Sequence, residues 1–292
     1  MGSGFLDPTK NALITGATSG IGKAAARKLA QTGAKLTLVG RNAGKLERTI
    51  DEIRRESGND AIDGLTADLA SVSEVRTLAD AYRNRHDSLH VLLNNAGAIF
   101  TARTMTREGI ERTIALNHLA YFELSRQLLD LMRKSAPARI INVASQLHEK
   151  GEINFADIGL SKGYAPIKAY AQSKLANVMF TFELARRLSD DGITVNALHP
   201  GMVASGFGKN NTGLVGRTTG LVLGTLQRII GVSAEEGADT AVYLATAPEV
   251  AGETGQYWNK RKVTGTSAIS LDSDQCARLW DLSENMVETA IA

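Results

Sequence analysis

The stretch Asn11-Ala-Leu-Ile-Thr15-Gly16-Ala-Thr-Ser-Gly20-Ile-Gly22-Lys-Ala-Ala-Ala-Arg27-Lys-Leu-Ala-Gln31 decides the fold. Asn11 to Thr15 reads as a short strand. Ile21 to Gln31 reads as a helix, stopped by Gly33, a residue suited to a helix C-terminal cap. Between them lies Gly16-x-x-x-Gly20-x-Gly22. A strand that feeds a helix through a glycine-rich turn is the setting of a dinucleotide loop. The glycines let the backbone turn tightly and let a pyrophosphate come close, while the helix N-terminus offers N–H groups and a positive dipole end. Gly16, Thr18, Ser19, Gly20, Ile21 and Gly22 form this candidate cradle. A glycine turn can also be purely structural; the strand–loop–helix context favours binding.

Lys35-Leu-Thr-Leu-Val39 is a second strand, ending at Gly40-Arg41. An NAD site usually carries Asp or Glu about 20 residues after the glycine turn, to bind the ribose 2′-hydroxyl. No carboxylate stands here to repel a 2′-phosphate. The planar fork of Arg41 suits a phosphate, and Lys45 follows one helical turn later. The pair favours NADP(H) over NAD, with an ordinary surface arginine as the alternative.

Farther along, strand-like runs alternate with amphipathic helical stretches. After a helix through about Ser57, strands are expected at Ile62 to Ala67, His90 to Leu93, Arg139 to Val143, Ile193 to Leu198 and near Gln256 to Trp258. Ser71-Val-Ser-Glu74 and Ser233-Ala-Glu-Glu236 have the capping-box pattern that opens a helix. This alternation predicts an α/β fold of Rossmann type: a doubly wound parallel sheet with helices on both faces. No linker divides the chain. Residues 1–9 read as an N-terminal tail and 10–292 as one domain, with substrate loops at about 146–169 and 206–232. The second loop carries Leu221-Val-Leu-Gly-Thr-Leu226 and Ile229-Ile230, a pattern for an apolar lid. An ordinary surface helix and a peripheral membrane patch are its alternatives.

Composition excludes several classes. The chain has 292 residues, 43% of them hydrophobic, enough for a full core. Lys and Arg number 33 against 31 Asp and Glu with no single-sign block, so no nucleic-acid surface is indicated. Cys276 is the one cysteine; it cannot form an internal disulfide and fits a reducing, cytoplasmic setting. No apolar run reaches the roughly 18 residues of a membrane span, and the first residues show no apolar targeting region. His118, His148 and His199 share no metal-ligand spacing, so no metal is expected and all three read as structural.

Chemistry enters with Tyr170-Ala-Gln-Ser-Lys174. Residues four apart share a helix face. An ammonium beside a phenol favours the phenolate and lowers the tyrosine pKa from about 10. Tyr170 then becomes a general acid/base for a carbonyl or alcohol oxygen. Such pairs also serve packing alone. Tyr164-x-x-x-Lys168 matches the same spacing, but Pro166 inside it and the loop-like Gly163 argue against a continuous helix there. Ser145, after the fifth strand, is either a site residue or a strand-end cap. Asn117, in a helix from about Gly109 to Met132, is either a site residue or an interior polar group bonded to backbone.

Thr15-Gly-x-x-x-Gly-x-Gly22, Asp68-Leu69, Asn94-Asn-Ala-Gly97, Asn117, Ser145, Tyr170-x-x-x-Lys174 and Pro200-Gly201 occur in this order. Each is weak alone, but the ordered set resembles the short-chain dehydrogenase/reductase superfamily over about residues 10 to 285. Tyr170-Ala-Gln-Ser-Lys-Leu-Ala-Asn177 and Leu279-Trp-Asp-Leu-Ser-Glu284 resemble its retinol dehydrogenase and protochlorophyllide reductase branch. The resemblance implies seven parallel strands in the order 3-2-1-4-5-6-7. It implies that Asp68 and Leu69 flank the adenine and that Asn94, Asn95, Ala96 and Gly97 line the cofactor cleft. Pro200, Gly201, Val203 and Ser205 would pack near the nicotinamide. Ser145 would hydrogen-bond the substrate oxygen, and Asn117 would hold a water linking Lys174 to solvent. Tyr170 and Lys174 would also touch the cofactor, Lys174 at the nicotinamide ribose.

The resemblance further implies a homodimer or homotetramer built through helices around residues 109–133 and 168–189, although the branch includes monomers. The expected function is hydride transfer between NADP(H) and a carbonyl or alcohol carbon of a small, apolar substrate. An NADP-dependent isomerase or epimerase and a catalytically silent NADP-binding sensor are the rivals. The intact Asn117, Ser145, Tyr170 and Lys174 set speaks against the sensor, which needs only the nucleotide loop.

Overall fold

Asn11–Thr15 (β1) is buried at every position, as befits a central parallel strand covered on both faces. Ala12 and Ile14 enter one core and Leu13 the other, because successive side chains alternate across a strand. The computed structural model describes residues 4–201 and 232–291. The other strands are β2 (Lys35–Gly40), β3 (Ile62–Thr66), β4 (Val91–Asn94), β5 (Ala138–Val143), β6 (Ile193–Leu198), β7 (Gln256–Asn259) and β8 (Lys262–Val263). They form one sheet in the order β3-β2-β1-β4-β5-β6-β7-β8.

The first seven are parallel and follow the expected order. The eighth is an addition, antiparallel to β7. Lys260 and Arg261 make the hairpin turn at φ 48° and 61°. A two-residue hairpin turn favours positive φ, and Asn-Gly is its usual sequence signal. A Lys-Arg turn ahead of a two-residue strand carries no such mark.

Helices cover both faces. α1 (Gly20–Ala30), α2 (Ala43–Ser57) and α7 (Ala234–Thr246) bury Ala25, Leu29, Ile53 and Leu244 on one side. On the other side, α3 (Val72–Arg83), α5 (Ala120–Lys134), α6 (Pro166–Arg187) and α8 (Ser273–Thr289) bury Val75, Leu128, Met179 and Trp280. The short α4 (Arg112–Ile114) runs into α5 through a π-helical turn, Ala115–Leu119. The expected single helix from about Gly109 therefore starts later and carries a bulge.

Start signals hold to different degrees. Ser233 and Glu236 close a complete capping box at α7. Ser71 caps α3 by accepting from Glu74 N–H, but the Glu74 carboxylate accepts from Asp68 N–H at 2.7 Å instead of completing the box. The Ser71 N–H already donates to the Asp68 carbonyl, so it does not need Glu74. Pro166 opens α6, which leaves Tyr164 outside the helix.

Two expectations about boundaries change. Residues 4–9, read as tail, are packed on the domain: Leu6 is buried and the Phe5 ring lies between Lys10 (3.7 Å) and Arg139 (3.8 Å). The connection expected at 146–169 is shortened by a 3₁₀ turn, Gln146–Lys150, and by the start of α6. Val203, Ser205 and residues 206–231 of the second loop lie outside the described residues. Among those described, no helix is long and apolar enough to cross a membrane.

Candidate active site

The sheet order reverses between β1 and β4, and open α/β sheets bind ligands in the crevice at the carboxyl ends of strands at that point. The glycine turn stands there. Gly16 takes φ +67°, in the left-handed region that a side chain strains. Gly20 begins α1, and Ile21 behind it is buried. A Cβ on Gly22 would lie 2.4 Å from both Asn95 Nδ2 and the Gly16 carbonyl oxygen, so only glycine allows this approach. Ser19 is the N-cap of α1, yet among the described residues its side chain caps nothing. The first N–H groups of α1 therefore keep their capacity for an anion.

Thr18 closes the turn against β2, where a Cβ on Gly40 would meet its methyl at 2.6 Å. The next residue, Arg41, is exposed beside the turn. Lys45 is exposed in the first turn of α2, whose N-cap Asn42 accepts the Lys45 N–H at 2.8 Å.

After β3, Asp68 is half-buried and accepts from Ala70 N–H at 3.1 Å, while Leu69 is buried. Arg112, which the sequence did not single out, reaches within 4.0 Å of the Asp68 carboxylate and lies over the Phe100 ring. The Asn94-Asn95-Ala96-Gly97 segment divides its work. Asn94 is fully buried and donates to Ser125 Oγ (3.1 Å) and Asn142 Oδ1 (3.0 Å), bracing the crevice from within. Asn95 Nδ2 donates to the Thr15 carbonyl at 2.9 Å, and Thr15 Oγ1 accepts the N–H groups of Asn95 and Ala96. Thr15, present in the motif but not assigned a role, thus clamps β4 to β1. Gly97 leaves a gap: a Cβ there would sit 3.3 Å from both Asn117 Oδ1 and Lys174 Nζ.

Asn117 lies in the π-helical turn, a feature frequent at functional sites. Its amide donates to the Ala98 carbonyl (2.9 Å) and Ser173 Oγ (3.0 Å) and accepts from Ala98 N–H (2.9 Å). Both of its N–H groups are committed to protein, so only oxygen capacity remains for a further partner. Ser173, another group not read from the sequence, fixes that orientation.

Ser145 follows β5 and caps the 3₁₀ turn, its Oγ accepting from Leu147 N–H at 3.2 Å. The same hydroxyl hydrogen-bonds Tyr170, so cap and site roles coincide in one residue. Tyr170 and Lys174 are both buried in α6. Lys174 Nζ donates to the Val143 carbonyl at 2.8 Å and lies 5.8 Å from the centre of the Tyr170 ring. The sequence could not point to that carbonyl, because every residue has one. Burial pushes the Tyr170 phenol up to about 12, with the Ser145 hydrogen bond pulling the other way. Burial pushes Lys174 down to about 7. Burial therefore raises the phenol, where the sequence reading has Lys174 lowering it.

Other expected residues fall around this centre. Pro200 and Gly201 follow β6, and the Gly201 N–H bonds His199 Nδ1 at 3.3 Å. Tyr164 donates to the Phe100 carbonyl at 3.1 Å and touches Thr113 Oγ1 at 3.0 Å, joining two loops beside the crevice. His118, His148 and His199 are buried. Among the described residues no group of His, Cys, Asp and Glu could hold a metal ion. Cys276 is buried, and its thiol is pushed up to about 12.

The glycine turn, the open start of α1 and the exposed Arg41 fit the phosphates of a dinucleotide. Ser145, Tyr170 and Lys174 fit proton exchange with an oxygen. Comparison with known proteins gives the family. The chain is 37% identical to retinol dehydrogenase 14 of Mus musculus, over 95% of this chain and 86% of that protein. It is 35% identical to polyprenol dehydrogenase of Homo sapiens, over 97% of this chain and 88% of that one. Its fold matches L-sorbose reductase from Gluconobacter frateurii complexed with NADPH and L-sorbose, with TM-score 0.69 and 26% identity, covering 88% of this chain and 96% of that chain. The short chain dehydrogenase family matches residues 10–213. The chain therefore belongs to the short-chain dehydrogenases, in their retinol dehydrogenase-like branch, and is an oxidoreductase.

Proposed function

We propose that this protein moves a hydride between NADP(H) and a carbonyl or alcohol carbon of an apolar substrate, with Tyr170 as general acid/base. The observation that carries this reading is the burial of Tyr170 and Lys174 one helical turn apart on α6, with Lys174 Nζ held on the Val143 carbonyl beside Ser145 at the crevice. Arg41 beside the glycine turn supports NADP(H) over NAD. Relatives named for retinol and polyprenol, both long apolar alcohols, support the substrate class.

When bound, the nicotinamide supplies or accepts the hydride. Tyr170 Oη gives its proton to the substrate oxygen during reduction and recovers one during oxidation. The Ser145 hydroxyl orients that oxygen. Lys174 Nζ is held on the Val143 carbonyl, and a pKa of about 7 lets it give or take a proton as Tyr170 changes state. Burial that raises the phenol keeps Tyr170 protonated at neutral pH, the form reduction needs. Reduction should hold through neutral pH and fade as the pH rises through the tyrosine's apparent pKa, while alcohol oxidation grows over the same window.

The test is NADPH consumption with a panel of carbonyls: all-trans-retinal, decanal, a steroid ketone and a small ketone. Tyr170→Phe should lower turnover by about 10² to 10⁴, the usual worth of general acid catalysis, and leave NADPH binding in place. Near-parental turnover in Tyr170→Phe would remove the acid and with it the reading of the site.

A further inference from the structure

Behind the Ser145 carbonyl lies a buried polar group to which the proposed reaction gives no part. His148 comes from the 3₁₀ turn after β5, Tyr257 from β7 and Thr266 from the segment after β8. His148 is fully buried and Tyr257 nearly so. His148 Nδ1 lies 2.8 Å from the Ser145 carbonyl oxygen. A carbonyl only accepts, so Nδ1 carries the proton. Nε2 is then the acceptor of a neutral ring, and Thr266 Oγ1, which also touches Ser270 Oγ at 2.9 Å, stands 2.7 Å from it in position to donate. Burial holds the His148 pKa below the usual histidine range, in keeping with a neutral imidazole. The His148 backbone N–H bonds the same Ser145 carbonyl at 3.0 Å. Tyr257 packs edge-on against the imidazole, with ring centres 4.6 Å apart and its hydroxyl 3.2 Å from Nδ1.

The Ser145 hydroxyl has a demanding position. It must face Tyr170 while standing between a strand end and a single 3₁₀ turn. Such turns have poor hydrogen-bond geometry and resist rotation of the flanking peptide weakly. A side-chain donor on the Ser145 carbonyl supplies what the turn lacks.

Resting on the reading of the site given above, we propose that His148 is a positioning residue for Ser145. Its Nδ1–H pins the Ser145 carbonyl, Thr266 anchors the ring from the far side, and the pinned backbone aims the Ser145 hydroxyl at Tyr170. His148 itself touches neither substrate nor cofactor. The arrangement makes the geometry at Ser145 depend on the hairpin of β7 and β8 and the segment after it. It also gives the hydroxyl of Thr266, itself bonded to Ser270 Oγ at 2.9 Å, a function at a distance.

The experiment compares Ser145→Ala, His148→Phe, His148→Asn and Thr266→Val in the full chain. NADPH consumption is followed with whichever carbonyl of the panel above the parent reduces fastest, and NADPH affinity is measured by calorimetry. His148→Phe fills the ring site but has no donor. It should lower kcat by about 10- to 100-fold, since a displacement of about 1 Å at a reacting group costs that order, with NADPH affinity unchanged. His148→Asn, whose amide can replace Nδ1–H, should recover most of kcat. Thr266→Val should fall between. Parental kcat in His148→Phe, alongside lost activity in Ser145→Ala, would overturn the proposal and leave the reading of the site standing. A loss in His148→Asn as deep as in His148→Phe would also overturn it, because bulk rather than the donor would then be the requirement. If His148→Phe does not fold, Thr266→Val decides: reduced kcat at parental NADPH affinity supports the relay, and parental kcat ends it. Parental kcat in Ser145→Ala would instead strike the reading of the site, and this proposal with it.

Discussion

At Arg41 what the position lacks matters as much as what it holds. No carboxylate follows β2, and the guanidinium is exposed beside the turn that Thr18 and Gly40 close. A charge-assisted hydrogen bond is worth about 1.5–3 kcal/mol. Arg41→Ala should therefore weaken NADPH by about tenfold to a hundredfold and leave NADH nearly unchanged, as calorimetry would show. Equal affinity for both cofactors in the parent would remove the basis for NADP(H). Tyr164 is the complementary case, a tyrosine with the right spacing to a lysine and the wrong place. Its hydroxyl is committed to the Phe100 carbonyl and Thr113. Tyr164→Phe should keep most activity and cost about 1 kcal/mol of stability, read from denaturant midpoints, because one partly buried hydrogen bond is lost. Loss of turnover as deep as in Tyr170→Phe would mean that the acid has been assigned to the wrong residue.

Among the elements, α8 shows how a peripheral helix is locked to the domain. Asp272 caps its start by accepting from Asp274 and Gln275 N–H. Trp280 packs edge-on to Phe122 of α5 at 4.9 Å and lies 6.0 Å from Phe180 of α6, with the Arg187 guanidinium 4.1 Å over its ring. Beneath these rings His118 bonds Ser283 of α8 at 2.8 Å and is fully buried. Burial pushes His118 from 6.5 down to about 4. Between those values the unfolded chain binds the proton and the folded chain does not. The stability tied to the neutral ring is complete above about 6.5 and is lost as the pH falls toward about 4, an effect on the order of 3 kcal/mol. Melting temperatures should therefore drop more steeply over this window in the parent than in His118→Gln. Parallel curves would show that His118 does not couple α8 to acid.

For the whole molecule, the same helix bears on assembly. The family resemblance implies pairing through helices around residues 109–133 and 168–189. In this chain residues 171–181 of α6 are all buried by the chain itself, and α8 lies against α5, α6 and the π-helical turn through Trp280, Ser283 and Arg126–Glu284. A partner would have to displace α8 to reach that face. Light scattering at micromolar concentration should accordingly give a single species near the chain mass of 31.2 kDa. A stable dimer would show that another surface, or a displaced α8, serves the purpose.

What the amino-acid order by itself determined was everything written in local pattern. Apolar runs, the glycine turn and the Ser233 capping box act between near neighbours, and they placed seven strands and the start of α7 within a few residues. The proline at 166 likewise separated Tyr164 from Tyr170, because a proline ring fits the first turn of a helix and disrupts its interior. The motif residues were legible for the same reason, although their duties were not. Asn94 turns inward to Ser125 and Asn142 because strands 48 residues apart in sequence lie side by side. Phe5 and Leu6 join the core, and β8 forms, through partners far along the chain. The direction of the Tyr170 shift depends on how much water the assembled crevice excludes, and the bond from His148 to Ser145 matters only once Thr266 is brought behind it. Charge state and hydrogen-bond partnership are set by three-dimensional surroundings, and only the tertiary structure supplies them.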